Sequence, residues 1–168
     1  GHHVEGRRGS VARESFRLTG VSVEPSERAR IEIDLGHGPL GENRCLAVHV
    51  LHGVEDGPTL CLTAAVHGDE LNGVTILRHL LYGDDHIAGT PDDNFDPAAL
   101  KGTLLIIPVV NHDAVILGSR RSPDGRDLNR LFPGSATGNQ SRRLAHALFD
   151  GVVKHADMLI DLHAAPLT

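Results

Sequence analysis

The chain contains no tryptophan, and aromatic residues make up 3% of its 168 positions. Its core must therefore be aliphatic, built from Leu, Val, Ile and Ala. Positive charge is also in deficit. The formal net charge of −6 argues against nucleic acid as the main partner. No apolar run approaches the ~20 residues of a membrane span. The polar, Arg-rich start has no apolar h-region of the kind a signal peptide carries. Cysteine is scarce too. Cys45 and Cys61 lie inside predicted strands and read as buried free thiols of a reducing compartment, which gives a cytoplasmic expectation. There is no repeat and no low-complexity segment.

A hydrophobic content of 40% over this length is enough for one core, so the chain is one domain or most of one. Residues 1–20 are assigned to an N-terminal tail, in which His2 and His3 read as the remnant of an affinity tag. Residues 21–168 are assigned to one α/β domain. Arg30–Leu35 alternates apolar and polar as a half-buried strand does. Cys45–Leu51 is a second strand, followed by a turn-rich stretch from Gly53 to Pro58. Thr59–Val66 and Thr103–Val110 are continuous apolar runs of the buried, central kind. Between them the spacing predicts a helix from Asp69 or Glu70, with Leu71, Val74, Leu77, Leu80 and Leu81 as its apolar face and Gly83 as its end. Asn111–Arg130 reads mostly as loop. A second helix spans roughly Gln140–His155, and Asp157–Leu162 is the last strand. This order predicts a mixed, centrally parallel sheet with helices on both faces.

Arginine outnumbers lysine fourteen to two. Base composition explains the ratio but not the placement. Arg120, Arg121, Arg126 and Arg130 crowd one loop, a candidate anion site. Asp84, Asp85, Asp92, Asp93 and Asp96 crowd another, which lacks the ligand spacing of a calcium loop and reads as solvated surface.

The chemistry-bearing residues sit at strand ends. His67 and Glu70 follow Thr59–Val66, and His163 follows Asp157–Leu162. In open α/β sheets ligands bind outside the carboxyl ends of the strands, so parallel neighbours would deliver both imidazoles to one edge. Two imidazoles and one carboxylate are the ligand set of a hydrolytic zinc ion with one open position, where bound water falls from a pKa of about 15.7 to about 7. Each piece also has a plainer reading: His67 as a surface residue, Glu70 as a helix-capping carboxylate favoured by the dipole, and His163 as a satisfied core histidine. Spacing alone leaves both readings open.

The segment Asp127-Leu128-Asn129-Arg130-Leu131-Phe132-Pro133-Gly134, taken with His67-Gly68-Asp69-Glu70, Gly118-Ser119-Arg120 leading to Ser122-Pro123, and Asp161-Leu162-His163, resembles the succinylglutamate desuccinylase/aspartoacylase family of the zinc carboxypeptidase clan. The elements stand in the family's order across roughly residues 59–163. The resemblance implies a zinc carboxypeptidase-like fold and one zinc ion on His67, Glu70 and His163. It implies Asp127 as the partner that orients the first ligand histidine. It implies Asn129 and Arg130 as the pair holding a substrate carboxylate. It also implies Arg120 as the arginine that polarises the scissile carbonyl, with Arg121 as the alternative because the stretch from Ser119 to Asp127 is about one residue short. Asn111-His112 stands where the family often has Asn-Pro, and His112 reads as a loop residue rather than a ligand.

The implied function is a zinc-dependent amidohydrolase removing an acyl group from a small anionic N-acyl amino acid or related molecule. A carboxypeptidase is the runner-up within that class. From another class comes a catalytically silent zinc-binding module, because the family's general-base glutamate lies well beyond the third ligand, and only Ala164–Thr168 follow His163 here. On that reading the chain is the N-terminal portion of a longer protein, with an open sheet edge near His163 and association between copies left open.

Overall fold

The computed structural model describes residues 12–165. The reading of His2 and His3 as a tag remnant falls outside that range. Within it the chain forms β1 (Phe16–Leu18), β2 (Val21–Val23), β3 (Glu27–His37), β4 (Asn43–His52), β5 (Glu55–Ala64), α1 (Asn72–Tyr82), β6 (Lys101–Ile107), α2 (His112–Leu117), α3 (Gln140–Gly151) and β7 (Met158–Leu162), with short 3-10 turns between them.

Strands β3 to β7 form one five-stranded sheet in the order β3-β4-β6-β5-β7. β3 with β4 and β4 with β6 are antiparallel; β6 with β5 and β5 with β7 are parallel. The mixed, centrally parallel sheet is therefore present. β5 has β6 on one side and β7 on the other. Two right-handed crossovers leaving in opposite directions along the sheet put their helices on opposite faces. Leu77 and Leu81 of α1 pack on one face with Leu51, Leu62, Leu104 and Ile106. Leu144, Ala145 and Leu148 of α3 pack on the other with Leu46, Val48, Val50 and Leu105. Both cores are almost wholly aliphatic.

Several boundaries differ from the sequence reading, each for a local reason. The tail boundary at residue 20 falls inside the β1–β2 hairpin, whose Leu18 and Val23 are buried in the α3-side core. Short strands carry too little periodicity to be read. β5 begins at Glu55, inside the stretch read as a turn, because a register shift between Glu55 and Thr59 absorbs Gly57 and Pro58 into the strand. α1 begins at Asn72, and no acidic residue occupies its first turn. Glu70 lies before the helix, so the helix-dipole argument for its ionisation does not apply. Leu71 is exposed, while Gly73 is buried. A Cβ on Gly73 would sit 2.8 Å from Leu162 Cβ and 3.0 Å from Ala64 Cβ, so its absence lets α1 press directly onto β5 and β7. The stretch read as loop after β6 holds α2, capped by the Asn111 side chain, and a 3-10 turn at Leu128–Arg130 capped by Asp127. Cys45 and Cys61 are both free thiols. β7 lies at the sheet edge, and Met158, Leu159 and Ile160 are about half exposed. No helix among the described residues is long and apolar enough to cross a membrane.

His49 sits on β4, 8% exposed, with its Nε2 3.3 Å from the Tyr82 hydroxyl. Burial, then the charges of Arg30, Arg28 and Arg78, push its pKa from 6.5 down to about 4. Between those two values the unfolded chain binds a proton that the folded chain refuses, so stability falls as pH drops through this window. The loss is at most about 3 kcal/mol. Urea midpoints at pH 7 and pH 4.5 should show a smaller acid-induced drop for His49→Gln than for the wild type. Equal drops would mean that His49 carries no such penalty.

Candidate metal centre

The centre grows out of the pairing of β5 with β7. Thr63 pairs with Asp161 and Ala64 with Leu162, so both strands release their chains at the same sheet edge. Beyond β5 the backbone turns through Ala65, at φ 53°, and Glu70 N–H closes the turn by donating to His67 O at 3.2 Å. The turn is backed by α2. A Cβ on Gly68 would lie 2.0 Å from the carbonyl carbon of Ala114, so only glycine permits this approach. Asn111, 1% exposed, ties the pieces together. Its amide donates to Val66 O at 3.3 Å and to Ser122 Oγ at 2.8 Å, and its Oδ1 accepts from Ala114 N–H at 3.3 Å. The turn carrying His67 and the loop carrying Arg120 are thus held by one buried side chain, which sequence reasoning had passed over.

His67, Glu70 and His163 each present a ligand-type atom, and the three atoms lie within 4.8 Å of one another. His163 Nδ1 is 2.7 Å from Glu70 Oε2, and the two imidazole rings are 5.1 Å apart. The other nitrogen of each ring faces a different carboxylate. His67 Nε2 is 2.9 Å from Asp127 Oδ1, and His163 Nε2 is 2.7 Å from Asp161 Oδ2. Asp161 was not among the expected site residues. The signal was available, because residues i and i+2 of a strand share a face. Asp127 is fixed in turn by accepting from Asn129 N–H at 3.0 Å, and Asp161 by accepting from the Thr63 hydroxyl at 2.8 Å.

Arg120 leans over the carboxylates. Its Nη1 is 3.6 Å from Glu70 Oε1 and its Nη2 is 3.5 Å from Asp127 Oδ2. Arg121 instead donates to the Gly125 carbonyl at 3.3 Å within its own loop. Asn129 and Arg130 stand exposed on the 3-10 turn that follows Asp127. His112 is the exposed first residue of α2, outside the cluster.

The electrostatics follow from this crowding. Burial pushes the Glu70 carboxyl up, but its close contacts with the His163 and His67 imidazoles outweigh it and hold it below the usual range. Asp127 is likewise lowered, burial being overcome by the hydrogen bonds from His67 and the Asn129 N–H. His163 is raised, because its contacts with Asp161 and Glu70 overcome the burial that would discharge it.

The donor set fits a divalent cation. His67 Nδ1 is buried and has no hydrogen-bond partner; it lies 3.2 Å from Glu70 Oε1, off the hydrogen-bonding direction. A buried, orphaned ring nitrogen aimed at a carboxylate and a second imidazole has the character a metal-ligating nitrogen needs, with the tautomer set through the opposite nitrogen. If the cluster holds a divalent cation, Asp127→Asn should weaken its binding by about 10–100-fold in a chelator-competition titration. Unchanged affinity would show that the Asp127 contact does not orient the His67 ring toward a metal.

Residues 56–168 match the model of the succinylglutamate desuccinylase/aspartoacylase catalytic domain. The chain is 33% identical over 114 residues to an N-alpha-acetyl-L-2,4-diaminobutyric acid deacetylase of Halomonas elongata, covering 67% of this chain and 30% of the relative. Among solved structures it resembles a product-bound ectoine utilization protein, EutE (DoeB), from Ruegeria pomeroyi, with a TM-score of 0.68 and 26% identity over 90% of this chain and 40% of that one. It also resembles a succinylglutamate desuccinylase/aspartoacylase from Rhodobacter sphaeroides, with a TM-score of 0.69 and 28% identity over 89% and 44% of the two chains. The chain thus spans between 30% and 44% of the length of these relatives. Matched by that catalytic-domain model over residues 56–168, and carrying a His-Glu-His cluster at the strand ends of a mixed sheet, this chain belongs to the succinylglutamate desuccinylase/aspartoacylase family.

Proposed function

We propose that the protein is a zinc-dependent amidohydrolase that removes an acyl group from a small anionic N-acyl amino acid. One observation carries the reading: His67, Glu70 and His163 converge with a buried, orphaned His67 Nδ1, and the Arg120 guanidinium stands at the same carboxylates. His67 Nδ1, Glu70 and His163 Nδ1 would hold the ion. Zinc bound there supplies Lewis-acid polarisation of a carbonyl and activation of water at neutral pH.

The chain's own residues supply positioning and charge. Arg120, 48% exposed at its side chain, has its donors at the mouth of the cluster, where an amide oxygen entering beside Glu70 would meet them. A guanidinium in that position stabilises the negative charge that develops on this oxygen. Arg121 is spent on its own loop, which favours Arg120 over Arg121 for the role. Asn129 and Arg130, next to Asp127 in sequence, would take a substrate carboxylate on this reading, and the planar guanidinium suits a two-point hold. The likeness to a deacetylase of N-alpha-acetyl-L-2,4-diaminobutyric acid makes an acetylated diamino acid the first substrate to try.

A second reading, that these 168 residues bind metal without turning over, is favoured by one feature. Glu70, Asp127 and Asp161 each already pair with an imidazole nitrogen, so none of the three is open to act as the general base.

The test uses the product of the complete reading frame that encodes this chain. Metal analysis should return one zinc per chain. Hydrolysis of N-acetyl-2,4-diaminobutyrate and other N-acyl amino acids should fall about 10²–10³-fold in kcat for Arg120→Ala. Arg130→Lys should raise KM, since the paired hydrogen bonds are lost. Full activity in Arg120→Ala would remove Arg120 from the mechanism. One zinc without hydrolysis of any N-acyl amino acid by that product would overturn the amidohydrolase reading, and turnover by it but not by the 168 residues alone would support the second.

A further inference from the structure

We propose that Thr63 is a positioning residue of the metal centre, acting on His163 through Asp161; the inference rests on the reading of His67, Glu70 and His163 as metal ligands. Thr63 lies on β5, 2% exposed, and its register partner on β7 is Asp161. The Thr63 hydroxyl donates to Asp161 Oδ1 at 2.8 Å, and Asp161 Oδ2 meets His163 Nε2 at 2.7 Å. The hydroxyl occupies one carboxylate oxygen and so fixes the plane in which the other faces the ring. Thr63 is itself stiff. Its branched Cβ restricts χ1, and β6 and β7 hold the backbone on both sides through Ile107 and Asp161.

The two ligand histidines differ in what holds them. The His67 side chain is 3% exposed, so packing restrains its ring in addition to Asp127. The His163 side chain is 33% exposed, and that of Asp161 is 27% exposed. A ring about a third exposed, beside a carboxylate about a quarter exposed, has less packing to orient it than His67 has. Its direction must come from hydrogen bonding, to Glu70 at Nδ1 and to Asp161 at Nε2, and on the Asp161 side the buried member is Thr63. The pairing of β5 with β7 thereby does more than bring two strand ends together. It places a buried hydroxyl directly opposite the carboxylate that sets the tautomer of the exposed ligand, leaving Nδ1 toward Glu70 and the cation. The same effect is obtained at His67 from a different source, where Asp127 is pinned by a backbone N–H.

The test is a zinc-affinity cycle on the full chain, read by chelator competition, with the cobalt(II) absorption spectrum as a second signature. Thr63→Val keeps the shape and deletes the hydroxyl; it should weaken zinc by about 3–10-fold, the scale of one hydrogen bond, and alter the cobalt bands. Asp161→Asn should cost about 10–100-fold. The double variant should bind no more weakly than Asp161→Asn alone, because Thr63 acts only through Asp161. Thr63→Ser should restore both affinity and spectrum. A Thr63→Val protein with wild-type affinity and spectrum would overturn the proposal. So would losses that multiply in the double variant, or a Thr63→Ser protein that behaves like Thr63→Val. Wild-type chain that takes up no zinc would overturn the metal-site reading, and this inference with it.

Discussion

Two parallel strands, β5 and β7, lie side by side and release their chains at the same sheet edge, and the site depends on that pairing. Glu70 and His163 are 93 residues apart in sequence yet 2.7 Å apart in space. They meet because Ala64 pairs with Leu162. A slip of one residue would turn Asp161 and His163 toward the opposite face of the sheet. The register is protected by burial, since Cys61, Leu62, Thr63 and Ala64 are buried in the strand that β7 adds to. Parallel strands need a crossover between them. The crossovers here bring α1 and α3 to opposite faces and leave the loops that carry chemistry at the carboxyl end.

The second constraint is electrostatic. Glu70, Asp127 and Asp161 converge on two imidazoles and one guanidinium within a partly buried edge. Taking several carboxylates out of water together is costly unless each finds a hydrogen-bond donor. The imidazoles meet part of that cost, the Asn129 N–H and the Thr63 hydroxyl another part, and a divalent cation among the three ligand atoms would offset much of the rest. Close backbone contacts keep the arrangement in place. Gly68 lets α2 press against the His67 turn, Gly73 lets α1 press against the strand ends, and Asn111 fastens the turn to the Arg120 loop.

Much of this was legible in the residues. The apolar runs of β5 and β6 read as buried strands because parallel central strands are covered on both faces. The helical face of Leu77 and Leu81 read correctly because helical spacing survives in any context. The start of α1 was misread because Glu70 follows a strand and precedes a periodic run, which resembles a capped helix; the tight turn from Ala65 to Glu70 leaves no such trace. Arg120 and Arg121 could not be separated in sequence. The difference lies in which guanidinium the loop spends on the Gly125 carbonyl, and that is a matter of its path in space. Asp161 was visible as a neighbour of His163, but its tie to Thr63 was not, since that contact exists only in a particular strand register.

What local chemistry and periodicity encode can be read along the chain. That covers an aliphatic α/β core, the order of the five sheet strands with α1 and α3, and the residue types a zinc ion accepts, placed at strand ends. Side-chain period and ligand chemistry act over a few residues, so they can be read along the chain. The tertiary structure alone decided which strands are neighbours, which ring nitrogen each carboxylate takes, and which arginine reaches the site. Those depend on register and on the packing of α2 against Gly68, where contacts between residues far apart in the chain are chosen by the free energy of the whole fold.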